Sequence, residues 1–443
     1  MKDLKIFTNN IEDKAREQID LLLEQEAFKD CKVRIMPDVH AGAGCVIGFT
    51  GNLGDKVIPN IVGVDIGCGM LCVELGNIDL DLERLDKIIR EYVPSGKNIH
   101  NKTLNYLNCI FYLRDLHCFE ELKNKDNWLE NSLGTLGGGN HFIEIDIDEN
   151  NNKYLVIHTG SRNLGKQVAE IYQKKAIKYC SYEKEIKEEK QKIIKEYKEQ
   201  HKEKEIQEKL IEISKKYEGK TKLPKDLCYL EGQLREDYLH DMKLCQEFAS
   251  LNRLTISRII LKEYFSVGNV VPLTEYNLKN GTKSLQGLVI LGKDDGIFPT
   301  TNGGMFFHSG TMSLFETIHN YISFEDNIVR KGAISARKGE RVLIPMNMRD
   351  GCIIGIGKGN DDWNQSAPHG AGRIMSRIQA KKTFELDEFK NSMKGIYTTS
   401  VNENTIDESP MVYKPMQEII DCIGDTVEIE KIIKPIYNFK AGE

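Results

Sequence analysis

Two periodicities alternate along this chain. From about Asn10 to Ala27, the residues Ile11, Ala15, Ile19, Leu22 and Leu23 recur at helical spacing, and Asp81 to Tyr92 reads as a second helix. Between them the pattern is extended. Val33-Arg-Ile-Met-Pro37-Asp38-Val-His40 predicts a strand running into a polar turn, and Cys45-Val-Ile-Gly48 begins another. Val57 to Leu75 predicts strand, tight glycine turn, strand. Gly134-Thr-Leu-Gly-Gly-Gly139-Asn140-His141-Phe-Ile-Glu144 reads as a glycine-rich loop delivering Asn140 and His141 onto a strand. There His141 and Ile143 share one face, and Asn140, Phe142 and Glu144 the other. Lys153 to Ile157 has the composition of a buried strand, ending at His158 before a Gly/Ser/Arg turn.

Beyond Lys166 the pattern thins. To about Lys220, Lys and Glu dominate in near balance, and Glu188/Lys192, Glu205/Lys209 and Glu212/Lys216 have the spacing of helical ion pairs. An exposed helical hairpin is expected. Arg235 to about Leu261 predicts a helix whose stripe of Tyr238, Met242, Cys245 and Ala249 is core. Short strands and glycine turns then return. Met305 to Tyr321 ends in His319-Asn320-Tyr321, and Arg341 to Gly357 reads as two strands joined by a polar loop. Ala367-Pro368-His369-Gly370-Ala371-Gly372-Arg373 reads as a loop entering a helix, a setting in which backbone N–H groups can hold an anion. The fold expected is α+β: one mixed α/β body over residues 1–443 with a charged helical insertion at 166–262.

Composition narrows the class. With 443 residues, 40% of them hydrophobic, the chain can bury a large core. A formal net charge of −6 argues against a coat of basic charge, while leaving room for a local basic groove. Eleven cysteines, an odd number without paired spacing, point to a reducing compartment rather than a disulfide framework. The N-terminus lacks a signal-peptide core and no apolar run is long enough to span a bilayer, so the expectation is a soluble, cytoplasmic protein with no membrane partner.

The candidate chemistry centres on Val62-Gly-Val-Asp65-Ile-Gly-Cys68-Gly-Met70, where a carboxylate and a thiol share one glycine turn. As anions they repel unless a cation lies between them, which predicts a metal site; the alternative is a capped turn with an inert cysteine. His141, His158, His319 and His369 each sit in a Gly- or Asn-flanked turn beside an apolar segment. Together with Asp65 and Cys68 they make a metal centre the better reading. The spacing is not that of a zinc finger, and the mixed donor set suits Mn, Fe, Co or Zn.

These stretches, with Met36-Pro-Asp38-Val-His40, Val64-Asp-Ile-Gly-Cys-Gly69, Gly137-Gly-Gly-Asn-His-Phe-Ile-Glu144, His158-Thr-Gly-Ser-Arg162, Arg330-Lys-Gly-Ala333, Tyr413-Lys414 and Lys440, occur in the order of the RtcB family of RNA ligases. The chain resembles that family from its first strands to its last lysine. The resemblance implies a GTP- and Mn²⁺-dependent ligase joining an RNA 3′-phosphate or 2′,3′-cyclic phosphate to a 5′-hydroxyl. It implies two Mn²⁺ ions bridged by Cys68, one completed by Asp65 and His141, the other by His158 and His319. It implies His369 as the nucleophile that becomes guanylated, oriented by Asp38. It assigns Asn140 to phosphate, Glu144 and Lys440 to guanine, and Asn320, Pro345, Met348, Cys352, Gly370, Ala371 and Gly372 to the nucleotide site. Arg162 and Arg373 are candidate phosphate contacts, and an archease-type activator is a candidate partner.

Two features depart from the family pattern. Pro345-Met346-Asn347-Met348 stands where a Pro-Gly-Ser/Thr-Met loop is expected, and Cys352 stands where a serine is expected to contact the base. The metal site alone would equally permit a hydrolase that opens cyclic phosphates, and the motifs a non-catalytic RNA-binding relative. A nucleophilic histidine at 369 separates the ligase from both.

Overall fold

A computed structural model describes residues 3–102, 113–125, 127–218, 220–266, 269–272, 287–291 and 311–441. The first expected helix forms at Asp13–Leu23 and buries Ala15, Ile19, Leu22 and Leu23. The second, Leu82–Tyr92, starts where the Asp81 side chain accepts from the Arg84 N–H at 3.0 Å, satisfying an otherwise orphaned donor. The segment expected from Met305 begins outside the described residues; its described part is the strand Thr311–Ile318.

The extended segments make an α+β body around a ten-stranded sheet. Its order is Arg341–Asn347, Gly351–Gly357, Val427–Lys440, Phe142–Ile147, Lys153–Thr159, Gly69–Gly76, Thr311–Ile318, Gly287–Leu291 and Asn269–Pro272, with Tyr397–Thr398 beside Val427–Lys440. A five-stranded sheet runs Leu4–Ile6, Val33–His40, Ile47–Asn52, Ile328–Lys331, Asn320–Ser323. Ala333–Ser335 pairs with Ser366–Pro368 as a short ribbon.

Register decides where the chemistry falls. Gly69 pairs with Thr159 on one side and Ile318 on the other, both antiparallel, and Phe142 pairs with His158. Strands starting at Gly69 and Phe142 therefore begin where those ending at Thr159 and Ile318 finish. Cys68, His141, His158 and His319, far apart in sequence, reach one end of the sheet.

The helices differ from expectation in one respect. Arg162–Tyr179 is no part of an exposed arm, because Leu164, Val168, Ala169, Tyr172 and Ala176 are buried in the core. The long helix Gln233–Phe265 buries Tyr238, Met242, Cys245 and Ala249 as expected. Within 166–262 the exposed helices are a hairpin of Glu183–Glu199 and Ile206–Tyr217, closed at its base where Ser181 pairs with Thr221. Both flanks of that range are core helices.

Candidate metal centre and nucleotide pocket

Gly67 and Gly69 flank Cys68, and the structure gives each a steric reason. A Cβ on Gly67 would lie 2.9 Å from the Ala249 Cβ of the long helix, and one on Gly69 would lie 2.4 Å from the Thr317 carbonyl oxygen. The glycines admit the neighbouring helix and strand, which clamp the turn and turn its thiol inward. The His319 N–H also donates to the Cys68 carbonyl at 2.9 Å, locking two ligand-bearing turns together.

Two clusters of metal-ligating atoms result, Asp65–Cys68–His141 and Cys68–His158–His319, with Cys68 common to both. Its Sγ lies 3.5 Å from His141 Nε2 and 3.2 Å from His158 Nε2. His158 and His319 set their Nε2 atoms 3.3 Å apart, and Asp65 Oδ2 is 3.0 Å from His141 Nε2. The tautomers follow from the far sides of the rings. His141 Nδ1–H donates to the Leu136 carbonyl at 2.9 Å and His158 Nδ1–H to the Asn140 carbonyl at 3.1 Å. Each Nε2 is left as a lone pair aimed at the thiol. One thiol proton can satisfy only one of those lone pairs. The donor set is short of protons and fits a cation.

The electrostatics agree. Burial, then the His141 charge, hold His158 well below the usual imidazole range. Burial, then His369 and His158, do the same to His319, so both rings are neutral ligands. Burial and then the Asp65 charge push the Cys68 thiol far up. Burial pushes the Asp65 carboxyl up as well, but the charge and hydrogen bond of a protonated His141 outweigh it and bring it down, so with no metal ion bound the positive charge this site calls for has to come from His141 itself.

His369 lies beside this cluster, its ring centroid 4.9 Å from that of His319. Asp38 is buried, and its Oδ2 accepts from His369 Nδ1 at 2.6 Å and from the N–H groups of His369 and Gly370 at 3.1 and 3.2 Å. A proton fixed on Nδ1 leaves Nε2 as a nucleophilic lone pair. A Cβ on Gly372, which has φ +74°, would lie 2.4 Å from the Asp38 carbonyl oxygen, so the loop can close over Asp38 only with glycine there. His369 opens on a cavity of about 650 Å³, whose wall also includes His40, Asn140, Phe142, Glu144, His158 and His319.

With this geometry in view, the chain was compared with known proteins. A sequence model described as "tRNA-splicing ligase RtcB" matches residues 25–278 and 304–441, most of the chain. The chain belongs to the RtcB family. It is 29% identical over 426 residues to an RNA-splicing ligase RtcB1 of Escherichia coli, covering 90% of this chain and 87% of that one. It is 25% identical over 480 residues to the tRNA-splicing ligase RtcB of Nanoarchaeum equitans, covering 90% and 85%.

Of the residues that the RtcB resemblance assigned to the nucleotide, Asn140, Glu144, Pro345, Met348, Gly370, Ala371, Gly372 and Lys440 line the cavity. Asn320 and Cys352 do not. Asn320 accepts from Gly332 N–H through its side chain at 3.0 Å and from Gly67 N–H through its carbonyl at 2.7 Å, so it braces the Cys68 turn. Cys352 is fully buried beside Glu144 and Asp146, behind the wall. The His369 loop also differs from expectation. The helix it was expected to enter begins only at Arg377, and Ser376 Oγ already accepts from Gln379 N–H there, so no free helix N-terminus faces the His369 loop. Arg162 directs its guanidinium to Thr135 Oγ1 and the Gly96 carbonyl, and Arg373 directs its own to the Asp407 and Met375 carbonyls. Of the two, Arg373 lines the cavity.

Three residues escaped the sequence reading. Arg253, wholly buried on the long helix, donates through Nη1 to the carbonyls of Gly67 and Thr159, each at 2.8 Å, and through Nε to Glu316 at 2.9 Å. Its neighbour Asn252 accepts from the N–H groups of Gly134 and Thr135 and donates to the Gly160 carbonyl at 3.2 Å. Together they lace the loops that carry Cys68, His141, His158 and His319. Glu408, on the cavity wall, pairs with Lys440 and Arg377 and accepts from the Tyr413 hydroxyl at 2.7 Å. Burial pushes this carboxyl up, but Lys440 and Arg377 more than offset that and hold it at about 2.

Proposed function

We propose that this protein is an RNA ligase that seals a 3′-phosphate or 2′,3′-cyclic phosphate end to a 5′-hydroxyl end, using GTP. The observation that carries the reading is the Asp38–His369 pair. A carboxylate 2.6 Å from Nδ1 fixes a proton there and turns Nε2 toward the wall of a nucleotide-sized cavity, next to the metal-ligating cluster. Neither a metal-dependent hydrolase that opens cyclic phosphates nor a non-catalytic RNA-binding relative needs such a nucleophile.

In this reading His369 Nε2 attacks the α-phosphorus of GTP, forming an N–P bond as pyrophosphate leaves. An oxygen of the RNA 3′-phosphate then displaces the histidine, giving a 3′-5′ anhydride. Attack of the RNA 5′-hydroxyl on the RNA-side phosphorus forms the phosphodiester and releases GMP. Cyclic ends are first hydrolysed to the 3′-phosphate. Asp38 orients the ring throughout and stabilises it when Nε2 is bonded to phosphorus. Asp65, Cys68 and His141 would hold one Mn²⁺ ion, and Cys68, His158 and His319 a second. When bound, such ions supply charge neutralisation for the triphosphate and the departing pyrophosphate. Asn140 is assigned to phosphate, and Glu144, with Lys440 beside it, to the guanine edge.

Labelling with α-³²P-GTP and Mn²⁺, followed by denaturing electrophoresis, tests the mechanism. Wild-type protein should retain label covalently, and His369→Ala should retain none while keeping its metal content. Wild-type labelling of the His369→Ala variant would sink the nucleophile assignment.

A further inference from the structure

A third group of potential ligands lies behind the cavity wall. Glu144 and Asp146 alternate on one face of the strand Phe142–Ile147, and Cys352 approaches them from Gly351–Gly357, two strands away. The intervening strand Val427–Lys440 carries register shifts where it pairs with each neighbour, and such bulges bend a sheet toward one face. One ligand atom from each residue lies within 4.8 Å of the other two. Glu144 is 2% exposed, Asp146 and Cys352 0%.

No N–H or O–H donor among the described residues reaches either carboxylate oxygen of Asp146, and the one group that can donate to it is the Cys352 thiol, whose proton a metal ion would displace. Asn438, which pairs with Glu144 across the ladder and donates to it, also leaves its buried Oδ1 without a hydrogen-bond partner. Around Cys352 the packing is apolar, from Met70, Val156, Leu343, Ile354 and Ile433. A buried carboxylate with no N–H or O–H donor is costly, and a second carboxylate with a thiol beside it raises that cost. Lys440 acts on Glu144 but is paired with Glu408, and the charges acting on Asp146 and Cys352 are negative, so the group is short of positive charge.

We propose that Glu144, Asp146 and Cys352 form a binding site for a divalent transition cation, separate from the Cys68 centre and sharing no ligand with it. Two carboxylates and a thiolate favour Zn²⁺, Fe²⁺ or Co²⁺ over Mg²⁺ or Ca²⁺, which prefer all-oxygen shells. Because Glu144 also lines the cavity, an ion here fixes one carboxylate of the nucleotide wall from behind.

The test uses full-length, reduced, metal-stripped Cys68→Ala protein titrated with Co²⁺ alone. The expected result is a bound ion with thiolate-to-cobalt absorption, together with a rise in melting temperature on addition of Zn²⁺. In Cys68→Ala/Asp146→Asn and Cys68→Ala/Cys352→Ala proteins, the count should fall by one ion and the Zn²⁺-dependent rise should vanish. Circular dichroism checks the fold of each. The proposal is overturned if Cys68→Ala protein gives no thiolate–cobalt band, or if folded double variants bind as many ions as their parent. Asp146 would then be a protonated carboxyl sealed in the core. If one double variant does not fold, the other carries the comparison, and the parent's band is read either way. The count is made without nucleotide, so its failure leaves the ligase reading untouched.

Discussion

Two charged regions of this molecule, the ligand-bearing end of the large sheet and the helical hairpin at 183–217, use charge in opposite ways. In the hairpin, lysines and glutamates pair with each other in solvent, as in Lys216–Glu189 at 2.9 Å and Lys209–Glu212 at 2.7 Å, and the second helix buries only Ile213. Exposed pairs of this kind contribute about 0.2–1 kcal/mol each and fix little. At the sheet end the charged groups are buried and bonded to backbone carbonyls or to one another, as with Arg253 and Glu408. There a lost partner strands an uncompensated group in the core, so each residue holds a geometry. Density of charge teaches nothing by itself; what each charge is bonded to does.

Cys68 should give the largest effect, since both metal-ligating clusters pass through its sulfur. Cys68→Ser replaces a soft ligand with a mostly protonated hydroxyl. Loss of outer-shell partners alone costs 10–100-fold in metal affinity. Metal affinity should therefore fall by at least about 100-fold, and guanylation and ligation with it. Elemental analysis finding two tightly held ions in the serine variant would remove the bridging role.

Arg253 comes next. Arg253→Met keeps the volume but removes the ion pair to Glu316 and leaves the Gly67 and Thr159 carbonyls without their donor, so the denaturant midpoint should drop by the equivalent of about 3 kcal/mol. Metal affinity should weaken too, although Arg253 belongs to neither ligand cluster. Arg253→Lys, which retains the charge but not the fork, should recover only part of both. An unchanged midpoint for the methionine variant would mean that the loops are held by something else.

Glu408 sharpens the comparison through pH. Its carboxyl sits near 4.5 unfolded and about 2 folded. Between those values the unfolded state binds more protons, so stability rises with pH across that window. Its contribution is fully present above about pH 4.5 and is lost as pH falls toward 2. The span corresponds to about 3 kcal/mol. Wild type should thus lose more stability than Glu408→Gln between pH 5 and 3, in parallel chemical denaturation series. Equal losses would show that Lys440 and Arg377 do not hold this carboxylate ionised.

Much of the site was legible because strands report their faces. The alternation from Asn140 to Glu144 put Asn140, Phe142 and Glu144 on one side, and all three line the cavity. His158 was expected at the end of an apolar strand and is found there. What stayed hidden is tertiary. Arg253 lies on a helix whose apolar stripe reads as core, and nothing local says that its guanidinium meets the Cys68 turn and two strands. The hairpin's limits were blurred because Lys and Glu continue beyond it; Leu164, Val168, Tyr172 and Ala176 at helical spacing were the available signal that Arg162–Tyr179 is buried. Cys352 was placed by resemblance in the nucleotide site, whereas the curl of the sheet carries it behind the wall.

The smallest effect belongs to the hairpin. Its base is closed independently, by the pairing of Ser181 with Thr221 and by Lys222 N–H donating to the Cys180 carbonyl at 3.0 Å, so the body does not need the helices to hold its ends. None of its described residues lines the cavity or joins the metal-ligating clusters. Deleting Glu183–Lys216 with a short Gly-Ser bridge removes exposed ion pairs worth about 1 kcal/mol or less each, and the added loop costs little closure entropy. Guanylation should stay within about twofold of wild type and metal content should not change, because no described residue of the hairpin touches the cavity or the metal-ligating clusters. Any loss should appear only in sealing of large, structured RNA, where a charged rod could meet the substrate far from the reacting ends. Labelling of the deletion protein with α-³²P-GTP decides it. If a folded deletion protein takes up no label, the hairpin belongs to the active site, and the contrast between the two charged regions collapses.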